Sequence, residues 1–329
     1  MPYPAPVVDP VRAAELTPTE ADVARLAGRF GASRLKPIGG FENLLFRSLD
    51  PPGMVIRVTH TSRRSVGMVE AEVAFMHHLG SHGVPVVVPV ESVEGALVTS
   101  FVFEDGSETV VHGMSEAPGE TRHPRTWSDD DLVAMGELLG QCHVAAAVFD
   151  PPGVRRPAWT DDAFDPGSHL LDDRDFAAAW RQVRTEAAGH PAGRADMLIH
   201  QDAHFGNVHI EDPARLTLFD FDDCAYGSAV HDIAMVFFYW LMVGWDDEVA
   251  ETRRFFDRLL TGYRRHADLD GDWPEGVDRL LNVRQADIYL LISRNLVEWT
   301  DFERRWMRDR RRRVMERTPL VGSPLADLL

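Results

Sequence analysis

The sequence predicts an α+β chain in two lobes, a small one built on an antiparallel sheet and a larger one that is mainly helical. Three observations carry this. Between residues 34 and 103, short runs of β-branched and apolar residues alternate with Gly- and Pro-bearing turns, interrupted by one helical rhythm. From Ser128 onward most apolar residues recur at helical spacing. Inside that helical half, residues 198–223, LIHQDAHFGNVHIEDPARLTLFDFDD, read as a loop, a strand, a tight turn and a second strand with an acidic tip. The small lobe is placed at residues 1–104 and the large lobe at 105–329.

A chain of 329 residues can bury a large core or divide into two lobes. Hydrophobic content of 44% and charged content of 26% are ordinary for a soluble globular protein. The net charge of −18 argues against a nucleic-acid partner and favours a cationic ligand. Basic charge is nearly all Arg, and Lys36, the only lysine, points to coding bias. Cys142 and Cys224 form no metal spacing, so a reduced, cytoplasmic protein is expected. Met1-Pro2-Tyr3-Pro4-Ala5-Pro6 lacks the basic and apolar regions of a signal peptide. The apolar run from Ile233 to Gly244 is too short for a membrane span, so no membrane partner is expected. Oligomeric state is not legible.

In chain order, residues 1–16 are a Pro-rich lead-in. Thr17-Pro18-Thr19-Glu20 predicts a capping box with Pro at the first helical position, opening a helix to about Phe30. Residues 34–38 and 44–49 predict strands around Gly39-Gly40-Phe41-Glu42-Asn43, where glycines allow close approach of backbone amides to a phosphate. Asp50-Pro51-Pro52-Gly53 is a second turn, and residues 54–58 a third strand carrying Arg57. Val66, Val69, Val73, Met76 and Leu79 predict a helix over 65–79 that carries Glu70 and Glu72. Residues 86–90 and 96–103 predict two more strands, the second leading into a lobe connector at Phe103-Glu104-Asp105-Gly106. Residues 112–127 read as a loop. Ser128 caps a helix over 129–148, and further helices are expected over 176–188, 233–243, 246–266, 274–298 and 300–317. The Arg-rich last helix reads as a solvated face. Residues 159–165, 245–248 and 299–301 are acidic and aromatic and are expected to edge a cleft.

The hairpin over 208–219 brings Asn207 and Asp220 opposite each other, about 5 Å apart. An Asn oxygen and a carboxylate at that spacing suit one hard cation such as Mg²⁺. Asp202, five residues before Asn207, points into the same space. Phosphoryl transfer requires this layout: a carboxylate for the incoming hydroxyl, and an Asn and an Asp for the metal that carries the phosphates. A rival reading makes His200, Asp202, His204, His209 and Asp220 the transition-metal cluster of a hydrolase.

His200-Gln201-Asp202-Ala203-His204-Phe205-Gly206-Asn207, followed by Phe219-Asp220-Phe221-Asp222-Asp223, resembles the aminoglycoside phosphotransferase and choline kinase family, a small-molecule branch of the protein-kinase-like fold. The stretch from Tyr226 to Ala234 is similar to the family's next element, where Asp232 either accepts backbone N–H groups of the catalytic loop or caps a helix. Among members, homoserine kinase-like and stress-response kinase A-like proteins look nearest. The resemblance implies ATP and Mg²⁺ as cofactors and a bilobal fold with nucleotide between the lobes. It implies Asp202 as the base, with His200 and His204 shaping its loop, and Asn207, Asp220 and Asp222 on the metal. Arg57 stands where the family's usual lysine would, paired with Glu72 and gripping phosphate oxygens. Gly39 and Gly40 would cover the phosphates, and Phe103 and Asp105 would lie on the connector that meets adenine. The implied acceptor is a hydroxyl on a small, amine-bearing metabolite or antibiotic. The alternatives are a stress-response protein Ser/Thr kinase and a nucleotide-binding pseudokinase.

Overall fold

The computed structural model describes residues 16–40, 43–151, 153–161, 173–211, 214–295 and 301–329. Residues 1–15, the Phe41-Glu42 part of the glycine turn, Asp212-Pro213 of the hairpin turn, and residues 162–165 and 299–300 of the expected cleft edge lie outside the described residues.

The small lobe opens with α1 (Glu20–Arg29). Its cap is Thr19, whose hydroxyl accepts from Asp22 N while Asp22 accepts from Thr19 N. The capping box is therefore two residues further along than the expected Thr17–Glu20 pair, and Pro18 lies outside the helix. Strands β1 (Arg34–Gly39), β2 (Leu44–Asp50) and β3 (Pro52–His60) form an antiparallel meander. Next come α2 (Val66–Ser81), capped by Ser65, then β4 (Pro89–Val90), β5 (Val98–Val102) and β6 (Glu108–Ser115). The sheet order is β1-β2-β3-β6-β4, with β5 also on β6.

Strand β6 corrects two expectations. Residues 112–127 are not one loop, and the sheet does not end at residue 104, because β6 is its most connected strand. Thr109 to Met114 are all buried, so the strand shows no in–out alternation. Gly113 and Ser115 disguise it further. A boundary at 104/105 would separate β5 from its hydrogen-bonded partner, whereas the sheet extends to Ser115. The chain passes to the large lobe just after, where Gly119 lies against the Ile210 carbonyl with no room for a side chain.

The large lobe comprises α3 (Asp129–Ala146), α4 (Arg174–Ala188), β7 (Met197–Ile199), β8 (Val208–Glu211), β9 (Arg215–Leu218), β10 (Ala225–Gly227), α5 (Ala229–Leu241), α6 (Glu248–Tyr263), α7 (Trp273–Asn295), α8 (Asp301–Glu316) and α9 (Leu325–Leu328). Ser128 and Asp131 close a capping box on α3, as expected. One continuous core joins Phe75, Met76 and Leu79 of α2 to α3, the hairpin, α5, α6 and α7. Helix α5 is its axis, buried on nearly every side, as its almost unbroken apolar sequence requires. The expected start of α5 at Ile233 moves back one turn, with Ser228 at the N-cap, so Asp232 is not a cap.

Helices α3 and α6 touch backbone to backbone. A methyl at Gly262 would strike the Val133 carbonyl, and one at Gly136 the Leu259 carbonyl. Gly→Ala in a helix normally stabilises by about 1 kcal/mol. Here overpacking reverses the sign, and Gly262→Ala is expected to destabilise by about 1–3 kcal/mol. A guanidinium midpoint equal to or above wild type would contradict this packing.

Candidate active site

Two small ribbons hold the candidate catalytic loop. β7 pairs with β10, Ile199 opposite Ala225, and β8 pairs with β9, Val208 opposite Leu218. The loop 200–207 and the tip 220–223 run between them. Asp232, fully buried, accepts from His200 N at 3.1 Å and Gln201 N at 2.7 Å, and from His143 Nε2 at 3.1 Å. It is thus the loop anchor that the resemblance implied. The bend it imposes puts Gln201 at φ 68°, and Asp220 sits at φ 63°. Non-glycine residues in this region cost about 1–3 kcal/mol each and persist where surrounding contacts enforce them.

Asp202 faces a cavity of about 150 Å³ between the loop, α5 and α7, with Trp159, Asp223, His231 and Asp287 also in its walls. Its Oδ1 accepts from Arg284 Nη2 at 2.7 Å, and its Oδ2 lies 3.4 Å from His204 Nε2. Burial opposes its charge, but Arg284 and then His204 outweigh burial and hold its carboxyl well below the usual range. Asn207 Nδ2 donates to the Asp202 carbonyl at 2.9 Å, so Oδ1 is the Asn207 side-chain atom that suits a cation. Phe219 N donates to Asn207 O at 3.0 Å, so Asn207 and the tip share the hairpin's open end. The Asp220 carboxylate is half exposed and lies 3.6 Å from Arg57 Nη1.

Arg57 on β3 and Glu72 on α2 form a buried ion pair, with Glu70 exposed to solvent. Burial pushes the Glu72 carboxyl up against the pull of Arg57. Gly39, at φ 90°, ends β1 and Gly40, at φ 136°, follows it, and a Cβ on Gly40 would collide with the Asn43 carbonyl.

Several expected site residues sit elsewhere. Asp222 is not turned out as an open cation ligand. Its carboxylate meets Arg63 at 2.5 Å, Arg64 at 3.5 Å and Arg57 at 3.7 Å, and accepts from Asn43 Nδ2 at 3.4 Å. Burial opposes its ionisation, but Arg57, Arg63 and Arg64 keep it charged. A cation at Asp222 would have to displace these arginines. His200 is buried, donates Nε2–H to the Phe219 carbonyl at 2.9 Å and packs on the Phe221 ring, so it ties the loop to the tip rather than facing the cavity. Phe103 and Asp105 are not on the connector. They form the β5–β6 turn, with Phe103 packed on Phe101 in the small-lobe core and Asp105 accepting from Ser107 N at 2.8 Å. Trp245 packs against Trp240 and under Arg125, away from the cavity walls. The rival metal cluster does not form. Among the described residues no three His, Cys, Asp or Glu side chains converge, and His209 is spent on the Ala117 carbonyl at 2.9 Å. An Asn oxygen plus one carboxylate instead fits Mg²⁺, which keeps phosphate and water among its ligands.

Sequence reasoning missed Arg284, Tyr239, Arg63, Arg64 and Asn43. Apart from Asn43, in the glycine turn, none lies in a motif, and Arg284 reaches Asp202 across 82 residues. It also missed two buried neutral histidines. Burial brings the His231 imidazole down to about 4 against the pull of Asp232. Burial and Arg57 hold His112, opposite Arg57 in the sheet, well below its ordinary 6.5. Below pH 6.5 the unfolded chain takes up protons at these positions that the folded state refuses, so stability is full above 6.5 and falls on acidification. His231 is expected to remove about 2 kcal/mol between pH 7 and pH 5, and His112 acts in the same direction. Denaturant titrations at those two pH values measure it, and equal unfolding free energies would mean that the rings are protonated in the fold.

A model of the APH phosphotransferase enzyme family matches residues 34–269. The chain belongs to that family. Among characterised relatives of this APH-family chain, the amicoumacin kinase of Bacillus subtilis strain 168 is 25% identical over 324 residues, covering 94% of this chain and 96% of its own length. An amicoumacin kinase solved with AMP-PNP, Ca²⁺ and Ami superposes with a TM-score of 0.85 at 22% identity, over 94% of this chain and 97% of that one. A microcompartment-associated aminopropanol kinase superposes at 0.67 and 18% identity, over 90% and 95%. The α+β, bilobal, protein-kinase-like fold of the APH family is therefore the fold of this chain, and it is a phosphotransferase. Among the described residues no helix is long and apolar enough to cross a membrane.

Proposed function

We propose that this phosphotransferase moves the γ-phosphate of ATP to a hydroxyl of a small, amine-bearing acceptor bound in the cavity beside Asp202. The carrying observation is that Asp202 lies in the wall of a cavity of about 150 Å³ and is hydrogen-bonded to Asn207, a residue of the metal-fitting pair. Asn207 Oδ1 and Asp220 would hold the Mg²⁺, which supplies charge neutralisation on the β- and γ-phosphates. Arg57, braced by Glu72, grips the α- and β-phosphate oxygens, and the Gly39-Gly40 backbone covers them. Asp202 orients the acceptor hydroxyl and receives its proton as the phosphoryl group leaves ADP. Asp222 holds the arginine cluster in register instead of binding metal.

The amine rests on three supports. The chain carries a net charge of −18. Asp223 and Asp287 flank the cavity, and their carboxylates suit an ammonium. The relatives named above are kinases of amicoumacin and of aminopropanol. A reduced, cytoplasmic setting suits the two buried free cysteines.

The test is ADP release from Mg-ATP across amicoumacin, 1-amino-2-propanol, choline, aminoglycosides, neutral sugars and mixed cell protein. Turnover is expected with amine-bearing alcohols only, weakening as salt screens the field. Transfer confined to protein or to neutral sugars would reject the acceptor class.

A further inference from the structure

The carboxylate of Asp202 is held within a closed ring of side chains drawn from three elements. Arg284 of α7 donates to Oδ1 at 2.7 Å, and His204 of the catalytic loop faces Oδ2 at 3.4 Å. These two partners are themselves joined through Tyr239 of α5. Arg284 Nη2 donates to the Tyr239 phenol oxygen at 2.5 Å, and its guanidinium carbon lies 5.4 Å from the Tyr239 ring centre. The Tyr239 ring stacks on His204 at 4.2 Å between centroids, tilted by 36°. Among the described residues, Arg284 is the only hydrogen-bond partner of the Tyr239 hydroxyl, so phenylalanine would satisfy every packing contact and lose only that bond. Burial pushes the Tyr239 phenol up to about 12, and it stays a neutral acceptor for Arg284.

An Asp side chain turns easily about its terminal torsion, whose preference is broad and two-fold. A general base must nevertheless present one oxygen to the hydroxyl within about 3 Å. The ring removes that freedom. Oδ1 is taken by a short bond to Arg284, while Oδ2 has only the longer contacts to His204 and to Asn207 Nδ2 at 3.5 Å. Oδ2 is thus the oxygen available to an incoming hydroxyl.

We propose that Tyr239 and Arg284 are positioning residues that fix the carboxylate plane of Asp202 and so decide which of its oxygens meets the acceptor. The proposal rests on the reading of Asp202 as the base. Arg284 and Asp202 both line the acceptor cavity, so the bracing belongs to the acceptor side of the site and not to the nucleotide side.

The experiment measures slow Mg-ATP hydrolysis, in which water takes the place of the hydroxyl, together with transfer to 1-amino-2-propanol. The variants are Asp202→Asn, Tyr239→Phe, Arg284→Lys, Arg284→Met and the double variant Tyr239→Phe/Arg284→Met, each confirmed folded by circular dichroism. Arg284→Met is expected to lower kcat for hydrolysis about 10²-fold and Tyr239→Phe about tenfold, the range that misplacement by an ångström or less produces. Arg284→Lys should recover most of the loss. KM for Mg-ATP should stay at its wild-type value in all of them. The double variant should be no slower than Arg284→Met alone, because both changes break one ring. A merely structural role would shift KM and stability without this pattern. Wild-type kcat in Tyr239→Phe and Arg284→Met while Asp202→Asn is slow would overturn the proposal. A kcat unaffected by Asp202→Asn would instead overturn the reading of the base. Loss of hydrolysis as described, with no transfer to 1-amino-2-propanol in any form, would support the positioning role and reject only that acceptor.

Discussion

Asp202→Asn is expected to cut turnover by about 10²–10⁴-fold, the usual worth of a positioned base, with Mg-ATP affinity left near wild type. The separation follows from the geometry. Asp202 bonds Arg284, His204 and Asn207 Nδ2, whereas the phosphate-side groups Arg57, Glu72 and Asp220 form their own cluster. An amide keeps the shape of the carboxylate and can still accept from Arg284. It loses the charge that orients the hydroxyl and takes up its proton. Single-turnover kinetics with saturating acceptor, beside a titration of nucleotide binding, measure the two quantities separately. Asp220→Asn provides the contrast, since it should weaken binding of the metal–nucleotide complex as well. Full turnover by Asp202→Asn with a true acceptor would exclude Asp202 as the base.

Glu72→Ala should be the most damaging substitution in the small lobe. Arg57 is 2% exposed and Glu72 wholly buried, so removing the carboxylate leaves a guanidinium in the interior without its closest partner. Breaking a buried pair in this way costs about 3–5 kcal/mol. The orphaned cation would turn to Asp220 and Asp222, already 3.6 Å and 3.7 Å away. It would then compete with metal for Asp220, and nucleotide binding should weaken along with stability. Arg57→Lys retains a cation for both roles and should keep partial activity, where Arg57→Ala loses most of it. Denaturant unfolding and Mg-ATP titration of these variants decide the matter. Unchanged stability and binding in Glu72→Ala would mean that the pair anchors nothing.

How much of this was legible in the sequence depended on how local the determinants are. The stretch 198–223 encodes the proposed base, the proposed metal pair and the hairpin that sets their spacing, because short ribbons fix geometry over a few residues. Arg57 and Glu72 were legible through their order along the chain. Arg284 and Tyr239 were not, since their place beside Asp202 depends on how α5 and α7 pack across the loop. The β6 strand was hidden because a strand buried on both faces loses the alternation that identifies it. That one omission carried a second error with it. With β6 missing, the β5–β6 turn at Phe103 and Asp105 took the place of the connector. Asp222 was misjudged for a different reason. Two acidic residues one apart look equivalent on paper, but the left-handed turn at Asp220 leaves one carboxylate half exposed and sends the other into the arginines of the small lobe.

The replacement of the small-lobe lysine by Arg57 has a practical side. The chain's only lysine, Lys36, is an exposed residue of β1. Acyl-phosphate nucleotide probes and other amine-acylating reagents find kinases in a proteome by capturing a lysine beside the bound phosphates. On the arrangement described here such reagents meet no amine at that position, only a guanidinium already bonded to Glu72. An inventory of nucleotide-binding proteins compiled with those reagents would pass over this enzyme even when its site is filled with ATP.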